Sequence, residues 1–95
     1  MGPKLAIAHT TASMTNASAA ALALNNDRKY ALIVNDGAVD VYLNLGGTAV
    51  ANQGIRVNAN GSSYEMSRNE GNLFDGVING ITASGTATLI VTEGT

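Results

Sequence analysis

The chain contains no cysteine and no tryptophan, a single phenylalanine, a single histidine and a single proline, and only 13% charged residues. Each shortage removes a class of explanation. Without cysteine there is neither a disulfide framework nor a zinc site built on thiolates, and His9 has no second imidazole to share a metal with. A nucleophilic triad needs a base beside its Ser, Thr or Cys. His9 lies in a charge-poor stretch with no carboxylate near it in sequence, so no catalytic residue is assigned. With 4% aromatic residues and no tryptophan, a sugar-stacking platform is poorly supplied, which argues against a glycosidase despite the available carboxylates.

Charge is scarce in a second sense. The five basic residues, Lys4, Arg28, Lys29, Arg56 and Arg68, form no cluster beyond one adjacent pair, and the net charge is -2. A nucleic-acid partner is not expected, because phosphate recognition needs a concentrated basic footprint. No apolar run is long enough for a membrane span, and no membrane partner is expected. The opening Met1-Gly2-Pro3-Lys4 and the short apolar stretch after it match neither a secretion signal nor a myristoylation motif.

What is present is 45% hydrophobic residue content in 95 residues, enough for one domain with one core. A domain this small has a thin stability margin, and with disulfides and thiolate metal sites excluded, self-association or attachment to a larger assembly is the remaining support. Residues 1–26 carry one side-chain charge, Lys4, and are rich in Ala, Thr, Ser and Asn. Residues 4–11 alternate Leu5, Ile7 and His9 against Ala6, Ala8 and Thr10, as a strand does. Residues 17–24 have the alanine content of a short helix but equally suit an extended arm, so residues 1–24 are expected to be an N-terminal strand or arm, and residues 25–95 the main domain.

From Arg28 onward the hydrophobic period is two. Tyr30, Leu32 and Val34 share one face, expected to be the core; Val39, Val41, Leu43 and Leu45 share another, with Asp40, Tyr42 and Asn44 opposite. Asp36-Gly37 between them reads as the turn of a β-hairpin. Further strands are expected over residues 54–58, 62–67, 76–83 and 86–93, the last with a Thr-rich, partly solvated face. Gly80 inside a strand signals a bulge or a close contact. Regular turn signals between short strands imply an all-β fold: a small antiparallel β-sandwich or β-barrel, jelly-roll-like, with the N-terminal strand or arm extended.

Other motifs carry little chemistry. Asn35, Asp36 and Asp40 offer oxygens near a glycine but not at EF-hand spacing, so no metal site is assigned. "LNLGGTA" over residues 43–49 lacks the Lys-Ser/Thr of a phosphate loop and is followed by no helix pattern, so no cofactor is expected. The two Asn-x-Ser matches, at Asn16 and Asn60, are read as chance.

Two segments, "NNDRKYALIVNDGAVDVYLNLGGTAVANQGIRVNANGSSYEMS" over residues 25–67 and "GVINGITASGTATLIVTEG" over residues 76–94, resemble small virion proteins of tailed bacteriophages. The shared elements are an Asn-rich turn, Arg-Lys-Tyr, an Ile-x-Asn strand, a Val-x-Val-x-Leu strand running into Gly, Gly-Ile-Arg, Gly-Ser-Tyr-Glu, and a closing Ser-Gly-Thr-Ala-Thr with Thr-Glu-Gly. The resemblance implies a capsid decoration (cement) protein on the outer surface of the virion. Its partners would be the major capsid protein and its own copies, as a homo-oligomer, often a trimer. The alternative is an adhesion or carbohydrate-binding module of a head or tail fibre, displaying residues 25–28 and 68–75. The candidate interface comprises Leu5, Ile7 and His9 of the N-terminal segment, Tyr42 on the second face of its strand, and Leu73 and Phe74, which either plug the fold or meet a neighbour.

Overall fold

A computed structural model describes residues 5–95. Lys4, where the first strand was expected to begin, and the Gly2 position weighed for myristoylation lie outside the described residues. Eight strands follow in order: β1 (Ile7–Met14), β2 (Ala19–Leu22), β3 (Tyr30–Asn35), β4 (Val41–Leu45), β5 (Ile55–Val57), β6 (Ser63–Ser67), β7 (Ile78–Thr82) and β8 (Ala87–Gly94). No helix occurs among the described residues, and residues 19–22, within the stretch whose alanines also suited a helix, form a strand. Pairing with β7 decides that outcome over local propensity.

The strands form two antiparallel four-stranded sheets, A with order β1-β8-β3-β6 and B with order β2-β7-β4-β5. Four of the pairings are nested: Ile7 opposes Gly94, Ala19 opposes Gly80, Tyr30 opposes Ser67 and Val41 opposes Val57. All four are centred near Ala49, as though one long hairpin had been rolled up. That is the strand order of a jelly roll, two interlocked Greek keys making a β-sandwich.

The core lies between the sheets. Sheet A contributes Met14, Ala31, Ile33, Met66, Ala87, Leu89 and Val91, and sheet B contributes Ala21, Leu22, Val41, Leu43, Val57 and Ile78. Each large side chain buried this way stabilises the fold by about 1.5–3 kcal/mol. Gly80 faces inward, where an added Cβ would stand 2.6 Å from the Met14 sulfur. The close contact expected at this glycine is therefore with a core side chain, while the pairing irregularity falls on the adjacent β2 between Ala20 and Leu22.

Two expectations for β3 are corrected. Strands β3 and β4 are not a hairpin: β3 lies between β8 and β6, and β4 between β7 and β5. Residues 36–40 instead carry the chain from one sheet to the other, and Asn35 explains how. Its side chain is fully buried, its Nδ2 donates to the carbonyls of Val39 at 2.8 Å and Val57 at 2.9 Å, and its Oδ1 accepts from the Gly37 N–H at 2.9 Å. The backbone at Gly37 passes so close to β8 that an added Cβ would stand 2.6 Å from the Ala87 Cβ, which leaves no room for any other residue. The second correction concerns the face. Ala31, Ile33 and Asn35 point into the core, and Tyr30, Leu32 and Val34 point out. Asn35 has to be inside to hold the corner, and strand alternation then sends the larger apolar set outward.

At the other end of the sandwich Arg28 is 0% exposed. Its Nε donates to Glu93 at 2.8 Å, its Nη1 to the carbonyls of Phe74 at 2.6 Å and Gly76 at 3.1 Å, and its Nη2 to the carbonyl of Ala23. Replacing Arg28 with Met would leave one carboxylate and three carbonyls without their donor. We expect Arg28→Met to lower stability by about 3–5 kcal/mol in urea unfolding, a loss under about 1 kcal/mol being the contrary result. Asn35→Ala, which strands the buried Val57 carbonyl, the part-buried Val39 carbonyl and the Gly37 N–H, should cost about 1–3 kcal/mol in the same measurement.

Candidate functional site

Because β3 is apolar on both faces, the outer surface of sheet A carries side chains that a solvated face would not. Pairing registers define it row by row. Ile7, Gly94, Tyr30 and Ser67 lie across the four strands, then His9, Thr92, Leu32 and Glu65, then Thr11, Ile90, Val34 and Ser63. Gly94 has no side chain, and Leu5, Ile7 and Tyr30 close over it: their atoms lie 3.1 to 3.3 Å from where its Cβ would stand. Leu5 and Ile7 are nevertheless 42% and 50% exposed, and Ile90 is 38% exposed at the far end of the face. Leu32 and Val34, half-buried, connect the two ends. The result is an apolar band across a β-sheet, rimmed by Ser63, Glu65 and Ser67 on β6 and by Thr11, Ser13 and Thr88 on the other side. Contiguous exposed apolar surface of this kind marks contact sites on soluble domains.

Polar groups on this face are paired locally. The Tyr30 hydroxyl donates to the Glu65 carboxylate, and His9 Nδ1 lies 3.0 Å from the Thr92 hydroxyl. Bonding to Glu65 raises the Tyr30 pKa, with desolvation and the carboxylate's charge adding in the same direction. The pair therefore contributes at neutral pH, and its contribution is lost as pH rises through the raised phenol pKa.

The outer face of sheet B differs in kind. It presents Tyr42, Asn44, Arg56, Asn79 and Ile81, and its polar groups are tied to the loop between β4 and β5: the Tyr42 hydroxyl bonds Asn52, Asn44 bonds the Thr48 carbonyl, and Asn79 bonds the Gly47 carbonyl. Beside it an open depression of about 270 Å³ is lined by Ala38, Val39, Asp40, Tyr42, Ala83 and Ser84.

The six residues marked from the sequence thus divide three ways. Leu5, Ile7 and His9 come together on the outer face of sheet A at β1. Tyr42 is on the opposite sheet. Leu73 and Phe74 are half-buried in the connection between β6 and β7, packed against the core, and the Phe74 ring covers Gly46 and Gly76. Of the segments that a binding module would display, Arg28 is buried, with its guanidinium held by the Phe74 carbonyl, and Leu73 and Phe74 are half-buried, while Asn26, Asp27, residues 68–72 and Asp75 are exposed. Tyr30, Leu32, Val34 and Ile90 are the surface residues that pattern reading missed. The available signal was β3 itself, since a strand apolar on both sides needs a cover on both.

Among the described residues no group of three His, Cys, Asp or Glu side chains is placed to hold a metal ion, and no helix is long and apolar enough to cross a membrane. Of the acidic corner, Asp40 Oδ1 accepts the Ala59 N–H at 2.8 Å and Asn35 is internal, so two of its three candidate oxygen-bearing residues are engaged in folding the chain. What the fold defines is an all-β sandwich that carries exposed Leu5, Ile7 and Ile90 on the outside of sheet A. Comparison with protein-family models, with curated proteins and with solved structures finds no match to this chain.

The Tyr30–Glu65 bond makes one direct prediction for this face. Glu65→Gln should bring the Tyr30 pKa back toward the ordinary value of 10.0 in an NMR or ultraviolet titration; an unchanged Tyr30 would show that the carboxylate is not the cause.

Proposed function

We propose that this protein is structural and non-enzymatic, and that it works through contact area as a bacteriophage capsid decoration protein. It would bind the outer surface of the assembled shell through the major capsid protein and associate with its own copies. One observation carries the reading: the apolar band from Leu5 and Ile7 through Tyr30 and Leu32 to Val34 and Ile90, on the outside of a sheet whose inner face already fills the core. A side chain on such a face adds little to folding, so its apolar character is best explained by what covers it. The resemblance of residues 25–67 and 76–94 to phage virion proteins supplies the kind of assembly. The jelly-roll strand order agrees with it, as that architecture recurs in viral capsid domains.

The fibre-module reading would place its ligand elsewhere, at residues 25–28 and 68–75, and a glycan array separates the two readings. Cosedimentation with purified heads tests the decoration reading. Leu32→Glu, which puts a charge at the centre of the band, should weaken shell binding tenfold or more while leaving the circular-dichroism spectrum unchanged; Arg56→Glu on sheet B should bind as wild type. Equal binding by Leu32→Glu, or loss confined to Arg56→Glu, would overturn the assignment of the face.

A further inference from the structure

The four sheet edges are not alike. In sheet B, β2 is four residues long with a register shift, and β5 is three residues long and carries Arg56. In sheet A, β6 is five residues long with Glu65 on its exposed side. Short strands, irregularities and charges are the usual devices that stop an edge from recruiting another strand. Strand β1, sequence IAHTTASM, has none of them: it is eight residues long, holds register with β8 along its full length, and contains no Asp, Glu, Lys, Arg or Pro.

Its backbone is set up for a second partner. Ala6 exchanges both of its backbone hydrogen bonds with Thr95, at 3.1 and 3.0 Å. Antiparallel pairing alternates, so the N–H and C=O groups of Ala8, Thr10, Ala12 and Met14 also point toward β8, while those of Ile7, His9, Thr11 and Ser13 point to the free edge. Strand β8 is the only neighbour of β1 in the sheet among the described residues.

We propose that this edge pairs with β1 of a second copy of the chain, antiparallel about a two-fold axis at Thr10, joining two A sheets into one of eight strands. This deepens the self-association proposed above and does not depend on the capsid partner. Three features select the occupant and the register. An isologous strand pair sets each residue against another from the same segment, so a charged strand would face its own charge; β1 has no acid or permanent base to repel. Sheet continuity requires paired side chains to lie on the same face, which puts the axis on a residue rather than between two. With the axis at Thr10, Ile7 pairs with Ser13 of the second copy and His9 with Thr11, so all four free residues of the strand are used on both chains. An axis at Thr11 would instead call on Thr15, whose carbonyl already accepts the Thr82 N–H at 2.8 Å, and an axis at His9 would set two imidazoles against each other.

A chain without cysteine permits a clean test of this register. Across the axis, Thr10 would face Thr10 as a non-hydrogen-bonded pair with Cα atoms about 4.5 Å apart, within reach of a disulfide, and Ala8 would face Ala12 in the same way. Under mild oxidation, Thr10→Cys should form a covalent dimer. Ala8→Cys and Ala12→Cys should each remain largely uncrosslinked alone and crosslink when mixed. Thr11→Pro, which removes an N–H from the free edge and none from the β8 ladder, should retain its circular-dichroism spectrum and sediment as a monomer at concentrations where wild type associates. Failure of Thr10→Cys to crosslink, crosslinking of Ala8→Cys alone, or a wild-type chain that sediments as a monomer or a trimer would overturn the edge pairing. None of these results bears on shell binding, which the cosedimentation experiment decides separately.

Discussion

A guanidinium withdrawn completely from water costs several kcal/mol unless its donors are used, and the arrangement around Arg28 is organised to use them. The acceptors come from three parts of the chain that are distant in sequence: Ala23 after β2, Phe74 and Gly76 between β6 and β7, and Glu93 near the end of β8. Arg28 itself lies two residues before β3. At this end of the sandwich the chain crosses between sheets, and one side chain ties the crossings together. One of the partners, Glu93, belongs to β8, the strand that pairs with β3 in sheet A.

Asn35 does the corresponding work at the corner after β3, by a different route. Its amide holds the residues that leave for sheet B and the end of β5 at once, through the carbonyls of Val39 and Val57. That requirement sets the phase of the strand. With Asn35 inside, Ala31 and Ile33 are inside too, and Tyr30, Leu32 and Val34 must face away from the core. The apolar outer face of sheet A is thus coupled to the folding of the corner, and that face and the core share one strand.

Much of the architecture was legible in the sequence. Alternation marked β4 through β8 closely, the Thr-rich outer side of β8 is as expected, and the all-β sandwich with a jelly-roll character follows from short strands separated by glycine and asparagine turns. The pairing of β3 with β4 was not legible, because Asn-Asp-Gly is as good a hairpin signal as it is a corner, and only contacts with Ala87, Thr88 and Val57, distant in sequence, distinguish them. The core face of β3 was misread for a related reason: Tyr30, Leu32 and Val34 outrank Ala31 and Asn35 in hydrophobicity, and no local pattern reports that a buried asparagine is needed. Arg28 looked like an ordinary surface cation, since its acceptors are mostly main-chain carbonyls that any sequence supplies. Leu5, Ile7 and His9 were marked by their place in a charge-poor, alternating segment, and they lie on the outer face of sheet A; Tyr42 was marked by its strand and lies on the other sheet.

The proposed role belongs to a surface rather than a reacting group, and the decisive observation is where that surface lies when the protein is at work. A cryo-electron microscopy reconstruction of the parent particle measures this most directly. The account predicts copies on the outside of the head shell, seated through the band that runs from Ile7 across Leu32 to Ile90. Heads bare of the protein, copies confined to the tail tip, or copies seated on the Tyr42 face would contradict it.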